Sequence, residues 1–351
     1  MLNSTDNIGW FADIGLADRP TVGGKGGSLG ELTKAGIAVP PGFVVKTAAF
    51  QRFVAALEAD GPVRAVVEAL AADDLDAVTA ASKALRARVE ASALPADLDA
   101  EIAAAYGALC GDDPLAPVAI RSSATTEDAE DASFAGLQDT FLWVKGAAEA
   151  VRFIRTCWAS LYSVESITYR RKHAIPEAGV HMAVVVQRMV DARTAGVMFT
   201  RSPLTGDRSV ITIEAAWGLG SAVVGGEVTP DRFVIGKITG DISVRDISDK
   251  HVQHLPKPDG GIHEVETPEN LRNIACITDD ELGALREIGR KVERHYGRPQ
   301  DIEWAVDRHG GGILLLQSRP ETVWSSKEAK PVSAPTENPL SHVMNIFGGR
   351  R

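Results

Sequence analysis

The strongest constraint on the fold lies near the end of the described sequence pattern. Residues 301–306 and 312–317 alternate in polarity and flank Asp307-Arg308-His309-Gly310-Gly311, a run of turn-forming residues. Two alternating segments around such a turn predict a β-hairpin. Pairing symmetric about Gly310 sets Glu303 opposite Gln317 and Asp301 opposite Arg319. Period-two alternation then puts these four on one face. Ile302, Trp304, Val306, Leu314 and Leu316 fall on the other. An apolar face behind a charged one describes a sheet that buries one side and works with the other.

The rest of the chain must supply partners for that hairpin. A glycine-rich loop at Gly23–Gly27 leads into a helical run from Ser28 to Ala35, stopped by Gly36 and Pro40-Pro41. Residues 47–110 are Ala-rich with charges at helical spacing. They predict three or four helices broken near Gly61-Pro62, Asp73-Asp74 and Pro95. Strands are expected at 117–120, 138–144, 182–190, 195–200, 209–215, 231–236 and 241–247. The last two are joined by a hairpin turn at Thr239-Gly240-Asp241. One long helix is predicted over 147–173. Another is predicted over 278–296, with Thr278 as N-cap and Glu281 completing a capping box. From Ser325 onward Lys, Ser, Pro and Glu dominate, which predicts a linker-like tail.

Composition narrows the class. The 351 residues are 44% hydrophobic and 24% charged, a globular mix. Lys and Arg number 37 against 47 Asp and Glu, a net charge of −10 that disfavours bulk nucleic-acid binding. No apolar run approaches the roughly 18 residues of a membrane span. The first residues lack the basic and apolar regions of a secretory signal. Three dispersed cysteines, Cys110, Cys157 and Cys276, form no CxxC pair, which predicts reduced thiols and a cytoplasmic protein. We expect neither a membrane nor a nucleic-acid partner.

Four motifs carry candidate chemistry. Gly23-Gly24-Lys25-Gly26-Gly27-Ser28 combines close-approach glycines, a cation and a helix start, which suits phosphate; in isolation a plain flexible turn explains it somewhat better. It is not a Walker A loop. The same stretch spells GxSxG around Ser28, but no buried strand precedes it, as a serine nucleophile would need. Arg121-Ser122-Ser123 at a strand end suits an anion. Its alternative is neutralisation by Glu127, Asp128, Glu130 and Asp131. Residues 133–140 fit a small-residue loop over a nucleotide, or a simple turn. Finally, Glu303 facing Gln317 offers two hard oxygens to Mg²⁺, with Arg319 beside them for phosphates; a ladder of surface polar pairs is the alternative. His251, His254 and His263 show no metal-ligand spacing and read as surface-loop histidines.

In order along the chain, six stretches resemble the N-terminal nucleotide-binding region of the phosphoenolpyruvate synthase and pyruvate phosphate dikinase family. They are GGKGGSLGELTKAGIAVPPGFVV (23–45), VAIRSSATTEDAEDASFAGLQDTFL (118–142), AGVMFTRSPLTGD (195–207), IEAAWGLGSAVVGGEVTPD (213–231), HYGRPQDIEWAVD (295–307) and LLLQSRPET (314–322). Rifampin phosphotransferase and phenylphosphate synthase belong to the same group. The resemblance implies an α+β ATP-grasp fold, two lobes with mostly antiparallel sheets enclosing ATP, plus the Ala-rich helices. It divides the chain into 1–115, 116–190, 191–324 and a tail at 325–351. It also implies that Lys25 and Arg121 touch the phosphates, with Gly136 and Thr140 in the loop above them. Gln187 and the backbone around Met189 would meet adenine, and Glu214 the ribose or base side. Glu303 and Gln317 would bind Mg²⁺, and Arg319 the phosphates. Two departures stand out: Leu137 where glutamine is frequent, and Gly226-Glu227 where a basic residue is common.

Family members pass a phosphoryl group to a histidine on a swivelling domain. The Gly-Gly-rich segment bearing that histidine has no counterpart in these 351 residues. The expected function is therefore an ATP-binding subunit or domain of a dikinase-type phosphotransferase. It would split ATP to AMP and phosphate and pass the β-phosphoryl to a histidine on a separate domain or subunit. That partner would then phosphorylate a small-molecule acceptor such as phenol. The alternatives are a truncated phosphoenolpyruvate synthase, a rifampin phosphotransferase ATP domain, or a non-catalytic ATP-binding regulatory subunit. The last would show a lost phosphate or metal residue, whereas Lys25, Arg121, Glu303, Gln317 and Arg319 are all present.

Overall fold

A computed structural model describes residues 3–125, 139–310, 312–322 and 324. The acidic cluster at 127–131, the expected nucleotide loop with Gly136 and Leu137, and the tail from 325 lie outside these residues.

The chain opens with β1 (Ile8–Trp10), α1 (Arg19–Lys34) and β2 (Gly42–Val45). Four helices follow, α2 (Thr47–Ala59), α3 (Arg64–Glu68), α4 (Leu75–Ala91) and α5 (Ala96–Cys110), broken where Gly61-Pro62, Asp73-Asp74 and Pro95 predict. Next come β3 (Val118–Ala124), β4 (Thr140–Val144), α6 (Ala147–Ser160), α7 (Val164–Lys172) and β5 (Met182–Arg188). Among the described residues these strands form one antiparallel sheet in the order β1-β2-β5-β3-β4. The helix expected over 147–173 is two helices. Ser163 takes extended backbone and its side chain accepts from the Ser166 N–H, starting α7 afresh.

The second half runs β6 (Ala192–Phe199), β7 (Val210–Trp217), α8 (Ser221–Val224), β8 (Asp231–Gly236), β9 (Ile242–Asp246), β10 (Val252–Pro256), β11 (Ile262–Glu266), α9 (Glu269–Arg272), α10 (Asp279–Tyr296), β12 (Gln300–Asp307) and β13 (Ile313–Pro320). Six of these strands form a second antiparallel sheet, β13-β12-β6-β7-β8-β9. β10 and β11 pair separately as a hairpin. α10 starts on the predicted capping box, with Thr278 and Glu281 exchanging both bonds, and ends on left-handed Gly297.

The Ala-rich helices answer to the first sheet. Phe50, Phe53, Leu98, Ile102 and Trp158 pack on its outer face with Phe43, Val45, Val184 and Val186. Its inner face, Val44, Ala183 and Val185, packs on Val22 and Leu29 of α1. β5 is thus buried on both sides, which is why it reads as an unbroken apolar run. The second sheet buries Ile213, Phe233, Ile302 and Trp304 against Leu282 and Leu285 of α10. Leu32 and Ile37, from the first lobe's sequence, join that second core. The inner faces of the two sheets meet across a cleft, as the ATP-grasp expectation requires. The three cysteines are buried and free. No described helix is long and apolar enough to cross a membrane.

Candidate active site

The cleft encloses about 1650 Å³. That exceeds the roughly 300–1,000 Å³ of a single small-ligand site. It is lined by Lys25, Arg121, Thr140 and Gln187 on one side and by Glu303, Gln317 and Arg319 on the other.

The glycine-rich segment lies inside a helix, at a kink and the restart that follows it, and is not a loop. α1 kinks at Gly23, whose φ is +71°. A Cβ there would lie 2.2 Å from the Ser123 carbonyl, so only glycine permits this approach of α1 to β3. Ser123 secures the junction: its hydroxyl donates to the Val22 carbonyl at 2.9 Å and accepts from the Gly26 N–H at 3.2 Å. Ser122 Oγ lies 3.4 Å from the Asp139 carbonyl. The hydroxyls after Arg121 therefore serve backbone groups. Lys25, in the restarted helix, is buried and faces the cleft. Ser28 is also buried, and its hydroxyl donates to the Ser318 carbonyl at 2.6 Å, which ties α1 to β13 and occupies the group a hydrolase would need.

Arg121 lies within β3, not at its end, and spans the gap between the sheets. Its Nη1 donates to the Leu316 carbonyl at 3.0 Å, and its Nη2 to Glu303 Oε2 at 3.0 Å and to Gln317 Oε1. Among the described residues its charge is thus met by Glu303 of the other lobe. The predicted register holds, with Glu303 opposite Gln317 and Asp301 opposite Arg319. Beyond Glu303 a bulge shifts it, so that Trp304 faces Leu315. This corrects one expectation: Leu315, not Leu314 or Leu316, joins Ile302, Trp304 and Val306 in the core. Leu314 and Leu316 turn to the cleft-side cluster with Trp143, Val190 and Ala305. The extra residue, Leu316, is the one whose carbonyl meets Arg121.

Two oxygens, from a carboxylate and an amide, converge on a single guanidinium nitrogen. They already hold one positive group in common, and their hard-oxygen chemistry fits Mg²⁺, with phosphate or water completing its shell. Arg319 is 63% exposed and its Nε lies 3.4 Å from Asp301 Oδ2. Burial pushes the Asp301 carboxyl up to about 6, while Arg319 pulls it back down. The other Asp301 oxygen is buried without a hydrogen-bond partner.

Thr140 is exposed opposite Arg121 in β4. Gln187 is buried and lines the cleft, with its amide 3.3 Å from the Pro40 carbonyl. Met189 follows β5 and lines the cleft, its N–H donating to the Pro117 carbonyl at 2.9 Å. Glu214 shares the Glu303 face of the second sheet, two strands away, and is not among the lining residues. Burial raises its pKa, against Arg232.

Two features escape the sequence reading. Trp143 takes φ +60°, a strained conformation for a bulky residue, at a bulge in the β3–β4 pairing, and forms part of the cleft wall. Nothing in an aromatic strand residue announces this. Second, His254 is no surface-loop histidine. It lies in β10, 7% exposed, with Nε2 2.7 Å from Glu227 Oε2. Alternation in Val252–Pro256 was the available signal.

The family described as "Pyruvate phosphate dikinase, AMP/ATP-binding domain" matches residues 19–339. The chain is 43% identical over 318 residues to a probable phosphoenolpyruvate synthase of Methanothermobacter thermautotrophicus, covering 90% of this chain and 46% of that one. It is 39% identical over 362 residues to the phosphoenolpyruvate synthase of Aeropyrum pernix, covering 93% and 44%. It therefore spans less than half the length of these relatives. Among solved structures, D-alanyl-alanine synthetase A of Vibrio cholerae aligns with 11% identity over 69% of this chain and 54% of that one, at a TM-score of 0.24.

Proposed function

The chain belongs to the pyruvate phosphate dikinase AMP/ATP-binding family, and from that premise we propose that it is the nucleotide half of a dikinase-type phosphotransferase. The observation that carries this reading is Arg121 reaching across the cleft to Glu303 and Gln317. Three groups from two lobes converge where the phosphates of ATP would lie.

In this reading Gln187 and the Met189 segment border the adenine. Lys25, Arg121 and Arg319 spread the charge that develops on the phosphates, a task of positioning and electrostatics. Glu303 and Gln317 would hold Mg²⁺, which when bound neutralises phosphate oxygens. The neutral imidazole of a histidine on a separate domain or subunit attacks the β-phosphorus, and the bond from that phosphorus to the AMP oxygen breaks. Water then takes the γ-phosphate from the pyrophosphorylated histidine, leaving the β-phosphoryl for an acceptor. The volume of the cleft leaves room for that imidazole beside the nucleotide. The names of the relatives favour pyruvate as acceptor over phenol.

Phosphorus NMR of ATP and Mg²⁺ with this chain, with and without a phosphohistidine domain from the same genome, tests the reading. AMP and phosphate are expected only with the partner. ADP as the sole product would overturn β-transfer. Glu303→Ala and Arg319→Ala are each expected to cut AMP formation about 100-fold or more with the fold intact. Unchanged rates in either variant would sink that residue's assignment.

A further inference from the structure

A second cluster of ligand atoms sits farther along the cleft wall. Glu227, His254 and Glu264 each offer one ligand atom, all within 4.8 Å of one another. Glu227 follows α8 and is the departure from the family pattern noted in the sequence. His254 and Glu264 face each other across the β10–β11 pairing. His254 is held from behind, its Nδ1 2.7 Å from Ser221 Oγ. Its Nε2 bonds Glu227 Oε2, and because a hydroxyl both donates and accepts, Ser221 can accept from Nδ1–H once an ion replaces the proton on Nε2. An ordering partner on the second ring nitrogen is the usual companion of a metal-ligating imidazole.

We propose that Glu227, His254 and Glu264 bind a divalent ion of the zinc class at the middle of the β10–β11 hairpin. One imidazole nitrogen with two carboxylates suits Zn²⁺ or Co²⁺, whereas Mg²⁺ prefers an all-oxygen shell. Ligands at about 2.0–2.2 Å from such an ion stand at most about 4.4 Å apart. The three ligand atoms lie within 4.8 Å of one another, with His254 Nε2 and Glu227 Oε2 2.7 Å apart, so small side-chain shifts seat the ion, and Glu227 and Glu264 are exposed enough to make them.

The position gives the ion a consequence. The hairpin reaches the other lobe: Gly261 N–H donates to the Trp143 carbonyl at 3.0 Å, and Lys145 Nζ to the Pro258 carbonyl at 2.8 Å. At its middle, Leu219 N–H donates to the His254 carbonyl at 3.0 Å. An ion joining Glu227 to both strands fastens this strap to the second lobe and stiffens the connection across the cleft.

Equilibrium dialysis of the chelator-treated full chain against Co²⁺, with visible absorption as a second readout, tests the site. One retained ion per chain is expected, still retained by Glu303→Gln and lost in His254→Gln and Glu264→Gln. Ser221→Ala is expected to weaken binding about 10- to 100-fold. Glu264 is exposed, so its variant decides the matter even where His254→Gln disturbs packing. No retained ion in the parent chain, or full retention in Glu264→Gln, overturns the proposal. So does loss in Glu303→Gln with retention in Glu264→Gln, which would assign the ion to the nucleotide site.

Discussion

Asp301 and Glu303 stand two residues apart on one face of β12, yet their surroundings differ. Glu303 meets Arg121, whereas Asp301 is 20% exposed, lies 3.4 Å from the Arg319 Nε and keeps one oxygen without a partner. Its carboxyl rises from 3.8 to about 6, chiefly through burial. A carboxyl with a raised folded value binds its proton more readily in the folded chain. Its contribution to stability is complete below about pH 4 and is lost as pH climbs through about 6. Above that, the charged form costs of order 2–3 kcal/mol, from about 1.4 kcal/mol per pKa unit. Asp301→Asn should therefore melt above the parent at pH 8, and the gap should shrink at pH 5. Thermal unfolding at the two pH values checks this; a gap independent of pH would show that Asp301 does not titrate in this range. Sequence reasoning reached Glu303, Gln317, Asp301 and Arg319 because period-two alternation across a short turn fixes which residues face each other. It did not reach the unequal surroundings of neighbouring carboxyls, which depend on the packing of the whole sheet and on charges such as that of Glu321, distant in the pattern.

Among the elements, α1 shows how a motif reads correctly in composition and wrongly in form. Gly23 does allow close approach, but to Ser123 of β3, and the helix kinks and restarts there. Ser123 is fully buried and serves both sides of the kink. Ser123→Ala would strand the Val22 carbonyl and the Gly26 N–H, a loss of about 1–3 kcal/mol. Denaturant unfolding should show it as a lower midpoint with the slope unchanged. A midpoint equal to the parent's would mean that the two backbone groups find other partners. Elements whose signals are local were legible: the helix breaks at Gly61-Pro62 and Pro95, the capping box at Thr278 and the turn at Gly240. β1 and β2 were not, being three and four residues long and defined only by their pairing. The bulge at Leu316 was equally hidden, because one extra residue in a run of leucines leaves no mark on the pattern.

At the scale of the molecule, the expected boundary near 190 separates the sheets in sequence but not in packing. Leu32 and Ile37 precede most of the first sheet, yet both sit in the core of the second, beside Met198, Ile302 and Leu315. Ser28 reaches the Ser318 carbonyl, and Leu315 N–H donates to the Ala38 carbonyl at 2.9 Å. α1 is thus shared: Val22 and Leu29 belong to the core under β5, and Leu32, one turn on, to the core under β12. Three residues advance the helix by about 300°, so Leu32 lies about 60° round from Leu29, and a helix at the junction of two sheets can feed both cores. That arrangement sets the distance from Lys25, on the same helix, to Glu303 and Gln317 across the cleft. Leu32→Ala removes a fully buried side chain, with an expected cost of about 2–5 kcal/mol. The loss should appear in the second lobe, although the residue lies in the first lobe's sequence. Hydrogen exchange is the measurement: amides of β6, β12 and α10 should exchange faster, along with those of α1. Faster exchange confined to α1, β2 and β5 would mean that the lobes open independently and that the cleft is not braced by this helix.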